Sequence, residues 1–260
     1  MRRRDFLVSS ALGALGLKTG ELFAAATSAG RAQTGTRKIL IAGGGFGTAF
    51  IRYMAQLTAK RRPKVLYLPT AAADRPGNFL RSCEGLDVEP SIQNSFISSY
   101  RQDRSWEEVL LSVDAIVVSG GNTLNQQAIW KAQGIDQVLH QAWDRGIVLG
   151  GASAGSLCWF EEGTTDSRPK ELSTVTCLGF IRGSHSPHYD GEAQRRPLYL
   201  SLVGSGQLKP GYACHNNAGI YFEDNQVKRV VKTRENAKAF YVSRVDGEAV
   251  ETELPAEMIA

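Results

Sequence analysis

Short apolar runs alternate along the chain with longer segments in which apolar residues recur every three to four positions. The first run, Lys38–Ala42, ends in a glycine-rich turn, and similar runs occupy residues 64–69, 115–118 and 147–149. A continuous apolar run of this length is typical of a strand buried on both faces of a sheet. We therefore predict a buried strand at each of these places.

Helical spacing fills the intervals between the runs. Helices are predicted over residues 48–60, 78–83 and 123–145, the last one interrupted around Gly134. Ser105 and Glu108 have the spacing of a capping box, which predicts a further helix from residue 106. This alternation predicts an α/β fold, with a mostly parallel sheet covered by helices on both faces. Ligands of such sheets bind beyond the carboxyl ends of the strands.

The N-terminus departs from this pattern. Three arginines (residues 2–4) precede a short apolar segment that is broken by Lys18 and Glu21, whereas a membrane-spanning helix needs about 20 apolar residues. This arrangement is typical of an export signal, and Arg3-Arg4 followed by Phe6-Leu7 resembles the twin-arginine class, which carries folded proteins. We assign residues 1–33 to such a signal and residues 34–260 to a single domain. The protein is then expected in the periplasm or outside the cell, with the twin-arginine machinery as a partner and without a stable membrane span.

The net charge and the cysteine spacing bear on whether the protein binds nucleic acid or a metal. Without residues 1–33, Lys+Arg falls from 30 to 25 and Asp+Glu from 26 to 24, which takes the net charge from +4 to +1. Proteins that grip nucleic acid carry a clear basic excess, so no nucleic acid is expected. The four cysteines show no Cys-x-x-Cys spacing, which gives no indication of a zinc or redox site. An oxidising compartment would permit disulfides, but the sequence leaves their pairing open.

Glycine-rich turns follow several of the predicted strands, and the turn after residues 147–149 carries chemistry. Gly151-Ala152-Ser153-Ala154-Gly155 has the form of a nucleophile elbow, in which small neighbours let the chain reverse sharply and expose a serine hydroxyl. The alternative is a serine that merely caps a helix. The preceding buried strand, together with a histidine and an acid further along, favours Ser153 as a nucleophile.

A serine nucleophile needs a base and a group that orients the base. His140 lies in a predicted helix and His215 in a polar turn, whereas His185 and His188 share a segment rich in turn formers, residues 183–190, read as a loop. Pro187 stiffens the chain directly before His188, which favours it as the base; His185 is expected to line the pocket or face solvent. Asp166 is the candidate acid, since Glu161 and Glu162 are expected as solvated charges at a helix end.

These landmarks together resemble the peptidase E family, which includes aspartyl dipeptidases and cyanophycinases. Gly-Gly-Asn-Thr, Gly-x-Ser-Ala-Gly, Thr-Thr-Asp and Pro-His-Tyr occur in the family's order within residues 38–222. The resemblance implies a three-layer sandwich similar to class I glutamine amidotransferases. It also implies Ser153 as nucleophile, His188 as base, Asp166 as orienting acid, and the N–H groups of Gly121 and Ala154 as an oxyanion hole.

The activity implied by the resemblance is hydrolysis of short peptides, in particular dipeptides with an N-terminal aspartyl residue, through an acyl-enzyme and without a metal or other cofactor. Asn122 and His185 are expected at the substrate. Arg195 and Arg196 are candidates for holding its carboxylate, because arginine can form two parallel hydrogen bonds with such a group. Relatives usually carry acidic residues near residues 213–217, where this chain has histidine and asparagine. We interpret that departure as a difference in specificity that leaves the triad intact.

Three other functions remain open at this point. A cyanophycinase-like hydrolase of β-aspartyl-arginine fits the same residues, and a noncatalytic amidotransferase-like binding module would share the fold. A dinucleotide-binding protein built on the glycines of residues 43–47 fits poorly, because Thr48 stands where the motif requires glycine. The sequence leaves the oligomeric state open, with a homodimer as one possible state.

Overall fold

The computed structural model describes residues 35–260. The predicted export signal, residues 1–33, lies outside the described residues, so the signal and the domain boundary stay predictions. Within residues 35–260 no helix is both long and apolar enough to span a bilayer.

The described residues alternate strands and helices in the first half and are rich in strands in the second. The helices are α1 (Thr48–Leu57), α2 (Phe79–Cys83), α3 (Trp106–Leu110), α4 (Thr123–Gln133), α5 (Ile135–Asp144), α6 (Ala154–Leu157) and α7 (Arg195–Gly204). The strands are β1 (Lys38–Ala42), β2 (Lys64–Leu68), β3 (Glu89–Ile92), β4 (Ala115–Val118), β5 (Val148–Ala152), β6 (Phe160–Thr165), β7 (Ser173–Thr176), β8 (Ile181–Ser186), β9 (Gly211–Cys214), β10 (Ala218–Glu223), β11 (Gln226–Lys232), β12 (Ala239–Val245), β13 (Glu248–Leu254) and β14 (Glu257–Met258).

The prediction of an α/β fold is confirmed, but the prediction of a mostly parallel sheet is wrong. One sheet has the order β14-β11-β10-β1-β5-β4-β2-β3 and a second has the order β13-β12-β9-β8-β6-β7. Strands β1, β5, β4, β2 and β3 are parallel neighbours. Antiparallel pairs join β1 to β10, β10 to β11, β9 to β12, β12 to β13 and β6 to β7, so both sheets are mixed.

Two tight turns explain much of the antiparallel part. Asp224 and Asn225 connect β10 to β11, and Asp246 and Gly247 connect β12 to β13; all four have positive φ. Two-residue turns of this kind match the twist of an antiparallel hairpin, and Asp, Asn and Gly tolerate the left-handed conformation best. The turn residues therefore fold the chain back on itself where the first half uses helical crossovers.

The buried strands present a different core on each face. In β1, Ile39 and Ile41 pack into a core shared with α3, α5 and the second sheet, whereas Leu40 and Ala42 pack into a core shared with α1 and α2. Side chains of a strand alternate between faces, so a continuous apolar run serves both cores. A further cluster packs α7 against β9 and β12.

Local predictions for the first half hold within a few residues. The capping box is present: the Ser105 side chain accepts from the Glu108 backbone, and the Glu108 side chain accepts from the Ser105 backbone. Gly134, with φ of 71°, separates α4 from α5 where the interruption was expected.

The residues after Ser153 differ from expectation. The helix that follows Ser153 ends at Leu157, and β6 begins at Phe160, so Glu161 and Glu162 lie in a strand and not at a helix end. The prediction that residues 183–190 form a loop is wrong for the first part of that segment, because β8 extends to Ser186. The four cysteines are buried and free of disulfides.

Candidate active site

Ser153 occupies a strained turn between β5 and α6. Its φ of 60° and ψ of −120° lie outside the regions that L-residues ordinarily adopt. A Cβ added at Gly151 or Gly155 would overlap the carbonyl oxygen of Val118 on β4, so both positions exclude side chains. Strain of this kind persists only when the surroundings over-determine it, and it is concentrated at functional sites. The geometry is that of a nucleophile elbow.

The backbones of His188 and Ser153 are both anchored at the carboxyl end of β1. The Ser153 N–H donates to the Ala42 carbonyl at 3.3 Å, and the His188 N–H donates to the Gly43 carbonyl at 3.2 Å. His188 also has a positive φ, 51°, and both residues are partly exposed. The backbones of the candidate nucleophile and the candidate base are therefore hydrogen-bonded to consecutive carbonyl groups at the end of one strand.

Asn216 holds the imidazole of His188. The Nδ1 atom of His188 lies 2.7 Å from Oδ1 of Asn216. An amide oxygen only accepts hydrogen bonds, so Nδ1 is the donor in this contact, and Nε2 is the ring nitrogen left for a general base. A Cβ at Gly44 would lie 2.7 Å from the His188 ring and would overlap the Asn216 amide. The His188–Asn216 pair therefore packs directly against the first glycine-rich turn, residues 43–47.

The departure from the family pattern near residues 213–217 therefore includes a residue, Asn216, that is hydrogen-bonded to His188, the candidate base. The Asn216 backbone N–H donates to Oδ1 of Asp190 at 2.7 Å, which fixes the asparagine relative to the segment that carries His188. The interpretation that this departure affects only specificity does not fit this geometry. The sequence difference was visible, but its contact with His188 was not.

Asp166, the acid expected from the family motif, lies at the end of β6. In residues 35–260 its carboxylate has no hydrogen bond to His188; its nearest charged partner is Arg195, at 4.0 Å, and 64% of its side chain is exposed. Strand β6 runs parallel to β8 with Gly163 opposite His185, and Thr164 Oγ1 lies 2.8 Å from Ser186 Oγ. The Asp166 side chain, one residue beyond the end of β6, is directed largely towards solvent.

The loop after β4 borders the serine. A Cβ at Gly120 would lie 3.2 Å from Cβ of Ser153 and 3.6 Å from its Oγ. Neither the Gly121 N–H nor the Ala154 N–H donates a hydrogen bond within residues 35–260. Two free N–H groups beside the nucleophile are what an oxyanion hole needs.

The residues expected to bind substrate are mostly engaged elsewhere. Asn122 caps α4 by accepting from the Asn125 N–H, and its side chain donates to the Ser167 carbonyl. Arg195 is 1% exposed and bonds Glu192 and the Thr164 carbonyl. Arg196 pairs with Glu251. Neither guanidinium is free for a substrate carboxylate without breaking these bonds.

His185 is fully buried, contrary to the expectation that it lines the pocket or faces solvent. Its ring stacks on Phe160 with centroids 4.7 Å apart, and burial lowers the pKa of His185 to about 3, with the charges of Arg195 and His188 acting in the same direction. Its Nε2 lies 3.0 Å from the Ser156 hydroxyl. His185 is therefore neutral and part of the scaffold beneath the site.

No group of three or more His, Cys, Asp or Glu side chains that could hold a metal ion occurs in the described part of the chain. The site described above combines a serine, a histidine and backbone N–H donors. This arrangement is typical of a serine hydrolase.

Comparison with known proteins gives the family. Residues 38–230 match the model of peptidase family S51. The uncharacterized peptidase YgaJ of Bacillus subtilis strain 168 is 36% identical over 229 residues, which cover 85% of this chain and 98% of YgaJ. The chain belongs to peptidase family S51 and is a serine-type peptidase.

Solved structures share the fold at low identity. A peptidase from an acI-B1 actinobacterium superposes with a TM-score of 0.67 at 15% identity, covering 88% of this chain and 98% of its own. A protein of Listeria monocytogenes EGD-e, named as a proposed peptidase E, superposes with a TM-score of 0.56 at 16% identity, covering 77% of this chain and all of its own.

Proposed function

We propose that this peptidase hydrolyses short peptides, in particular dipeptides with an N-terminal aspartyl residue, through an acyl-enzyme on Ser153. The observation that carries the proposal is the strained Ser153, whose backbone is anchored to the same end of β1 as the backbone of His188. His188 Nε2 accepts the serine proton as the hydroxyl attacks the peptide carbonyl, and then passes it to the leaving amine. Water, activated by the same histidine, releases the acyl group. The same elbow supports a likeness to the class I glutamine amidotransferase fold.

In this proposal Asn216 orients His188, in place of the expected Asp166. The 2.7 Å contact between Oδ1 of Asn216 and Nδ1 of His188 supports it, and triads with asparagine as third member occur in cysteine peptidases. Gly121 and Ala154 would donate to the oxyanion. Losing one such donor costs about 3 kcal/mol of transition-state stabilisation.

Asp166 then has a different use. Its exposed carboxylate, just beyond the end of β6, would attract the α-ammonium group of a short peptide bound at Ser153. A free N-terminus held next to the scissile bond favours removal of a single N-terminal residue. The preference for aspartate rests on the family resemblance, since Arg195 and Arg196 are paired internally.

The experiment compares the wild-type domain with Ser153→Ala on a panel of dipeptides. We expect hydrolysis of Asp-Leu-type dipeptides, reduced by about four to six orders of magnitude in the variant, as for other serine nucleophiles. Ser112→Ala, which changes a serine before the amino end of β4, serves as the matched control and should keep full activity. Undiminished turnover by Ser153→Ala would refute the serine mechanism.

Two further functions are outcomes of the same panel. Cleavage of β-aspartyl-arginine in preference to Asp-Leu would identify a cyanophycinase-like hydrolase. A wild-type protein that neither cleaves any peptide nor reacts with a fluorophosphonate at Ser153 would be a binding module.

We also propose that the protein is exported in folded form by the twin-arginine route. Four buried cysteines without disulfides support this route, because a chain that folds before export shields its thiols from an oxidising compartment. Replacing Arg3 and Arg4 by lysine should hold the precursor in the cytoplasm, measured by cell fractionation. Normal export of that variant would refute the assignment.

A further inference from the structure

A second serine–histidine pair lies directly beneath the proposed catalytic pair. The Ser156 hydroxyl is 3.0 Å from Nε2 of His185, and both side chains are fully buried. Ser156 follows Ser153 by three residues, and His185 precedes His188 by three. Both pairs therefore join the same two segments, the turn that carries the nucleophile and the strand that leads to the base.

The direction of the inner hydrogen bond follows from its surroundings. Nδ1 of His185 is 3.0 Å from the Tyr212 carbonyl oxygen on β9, which only accepts, so Nδ1 carries a proton. Because burial lowers the pKa of His185 to about 3, Nε2 is unprotonated at neutral pH. It accepts the proton of the Ser156 hydroxyl, and the chain Ser156–His185–Tyr212 crosses from α6 through β8 to β9.

Ser156 also contacts the backbone of Ser153 in the nucleophile elbow. The N–H groups of Ser156 and Leu157 donate to the Ser153 carbonyl at 3.0 and 2.9 Å. The Ser156 hydroxyl donates to the same oxygen at 2.8 Å, so its single proton is shared between this carbonyl and Nε2 of His185, 3.0 Å away. Helix α6 has only four residues and no side-chain N-cap, so it is marginal without tertiary contacts. The strained backbone of Ser153 needs an external constraint, and Ser156 supplies one.

We propose that Ser156 and His185 are positioning residues, which set the placement of the Ser153 hydroxyl relative to His188 by tying α6 to β8. This inference rests on the proposed function of Ser153 and His188. A buried polar pair is unfavourable unless its hydrogen bonds are satisfied. What a hydrogen bond adds is a fixed direction and distance between two segments whose relative position decides proton transfer.

The test is Ser156→Ala, read by the rate at which a fluorophosphonate acylates Ser153 in the folded protein. A displacement of about 1 Å at a reacting group can cost about 100-fold, so we expect acylation and kcat to fall by about 10- to 100-fold, with KM unchanged. Ser156→Thr keeps the hydroxyl and should restore most of the rate.

Ser184→Ala is the matched control. Ser184 also lies fully buried on β8, and its hydroxyl bonds Tyr199 Oη at 2.7 Å and the Lys209 carbonyl at 2.6 Å, away from the elbow. It should lower the midpoint of urea denaturation, as the loss of a buried hydrogen bond does, while acylation stays within about twofold of wild type.

Acylation of Ser156→Ala at the wild-type rate would overturn the inference, and so would an equal loss in Ser184→Ala, which would show a general effect of core damage. A wild-type protein that does not react at Ser153 would instead refute the proposed function, and this inference with it.

Discussion

The outer pair, Ser153 and His188, and the inner pair, Ser156 and His185, link the same two segments but differ in backbone and exposure. Both outer residues have positive φ and are partly exposed, whereas both inner residues lie in regular elements and are fully buried. Of these four residues, only the two whose side chains are proposed to react have a positive φ. The inner pair has ordinary geometry because its task is to hold the elements that carry the strained one.

The largest expected effect separates the two histidines. His188→Ala should abolish the burst of acyl-enzyme formation and reduce kcat/KM by about 10⁴-fold, because no base remains for Ser153. His185→Gln, which keeps an acceptor for Ser156, should retain a burst at a lower rate. Single-turnover kinetics with an activated ester would measure both. A burst that survives in His188→Ala but disappears in His185→Gln would show that the roles of the pairs are reversed.

The second-largest expected effect concerns Asn216, the uncharged hydrogen-bond partner of His188. A carboxylate at position 216 would stabilise the imidazolium that forms during attack more strongly than the amide oxygen of Asn216 does. Asn216→Asp should therefore raise kcat, by about 10- to 100-fold, since the neighbouring Asp190 carboxylate opposes a second negative charge and reduces the gain.

Asn216→Ala provides the other arm of that test. Without Oδ1, the His188 ring loses its orientation, and kcat should fall about 100-fold with little change in KM. Lower activity in Asn216→Asp than in wild type, with folding intact, would contradict the view that the amide limits the rate. Loss of activity in Asp166→Asn through kcat, instead of KM, would restore Asp166 as the orienting acid.

The elbow and its strands were predictable because their signals are local. Gly-x-Ser-x-Gly directly after an apolar run specifies a strand, a sharp turn and an exposed hydroxyl within nine residues. Asn216 was not predictable as the partner of His188, because the two residues are 28 positions apart in the sequence and come into contact only where their two segments pass the end of β1. A polar turn gives no sign of which distant side chain it will contact.

His185 shows a different limit. Strand β8 reads as a loop because Ser184 and Ser186 carry hydroxyls, and their burial depends on partners on α7 and β6 that sequence periodicity does not reveal. The two hairpins, by contrast, did carry a local signal in Asp224-Asn225 and Asp246-Gly247. That signal lies beyond the part of the chain from which the parallel sheet was inferred, which is why the mixed topology was missed.

The smallest expected effect is a pH dependence of stability that belongs to the inner pair. The pKa of His185 is lowered to about 3 in the folded protein from an ordinary value near 6.5, so the unfolded chain binds one more proton between these values. The stabilising contribution of neutral His185 is therefore complete above about pH 6.5 and decreases as the pH falls towards 3. Between pH 7 and pH 5 the free energy of unfolding should fall by about 2 kcal/mol from this group, measured by urea denaturation.

His185→Gln should remove that component. His140→Gln, which changes an exposed histidine paired with Asp144, should keep it. An equal acid dependence in wild type and His185→Gln would show that His185 does not stay neutral in the fold, and the direction assigned to the Ser156–His185 hydrogen bond would then be wrong.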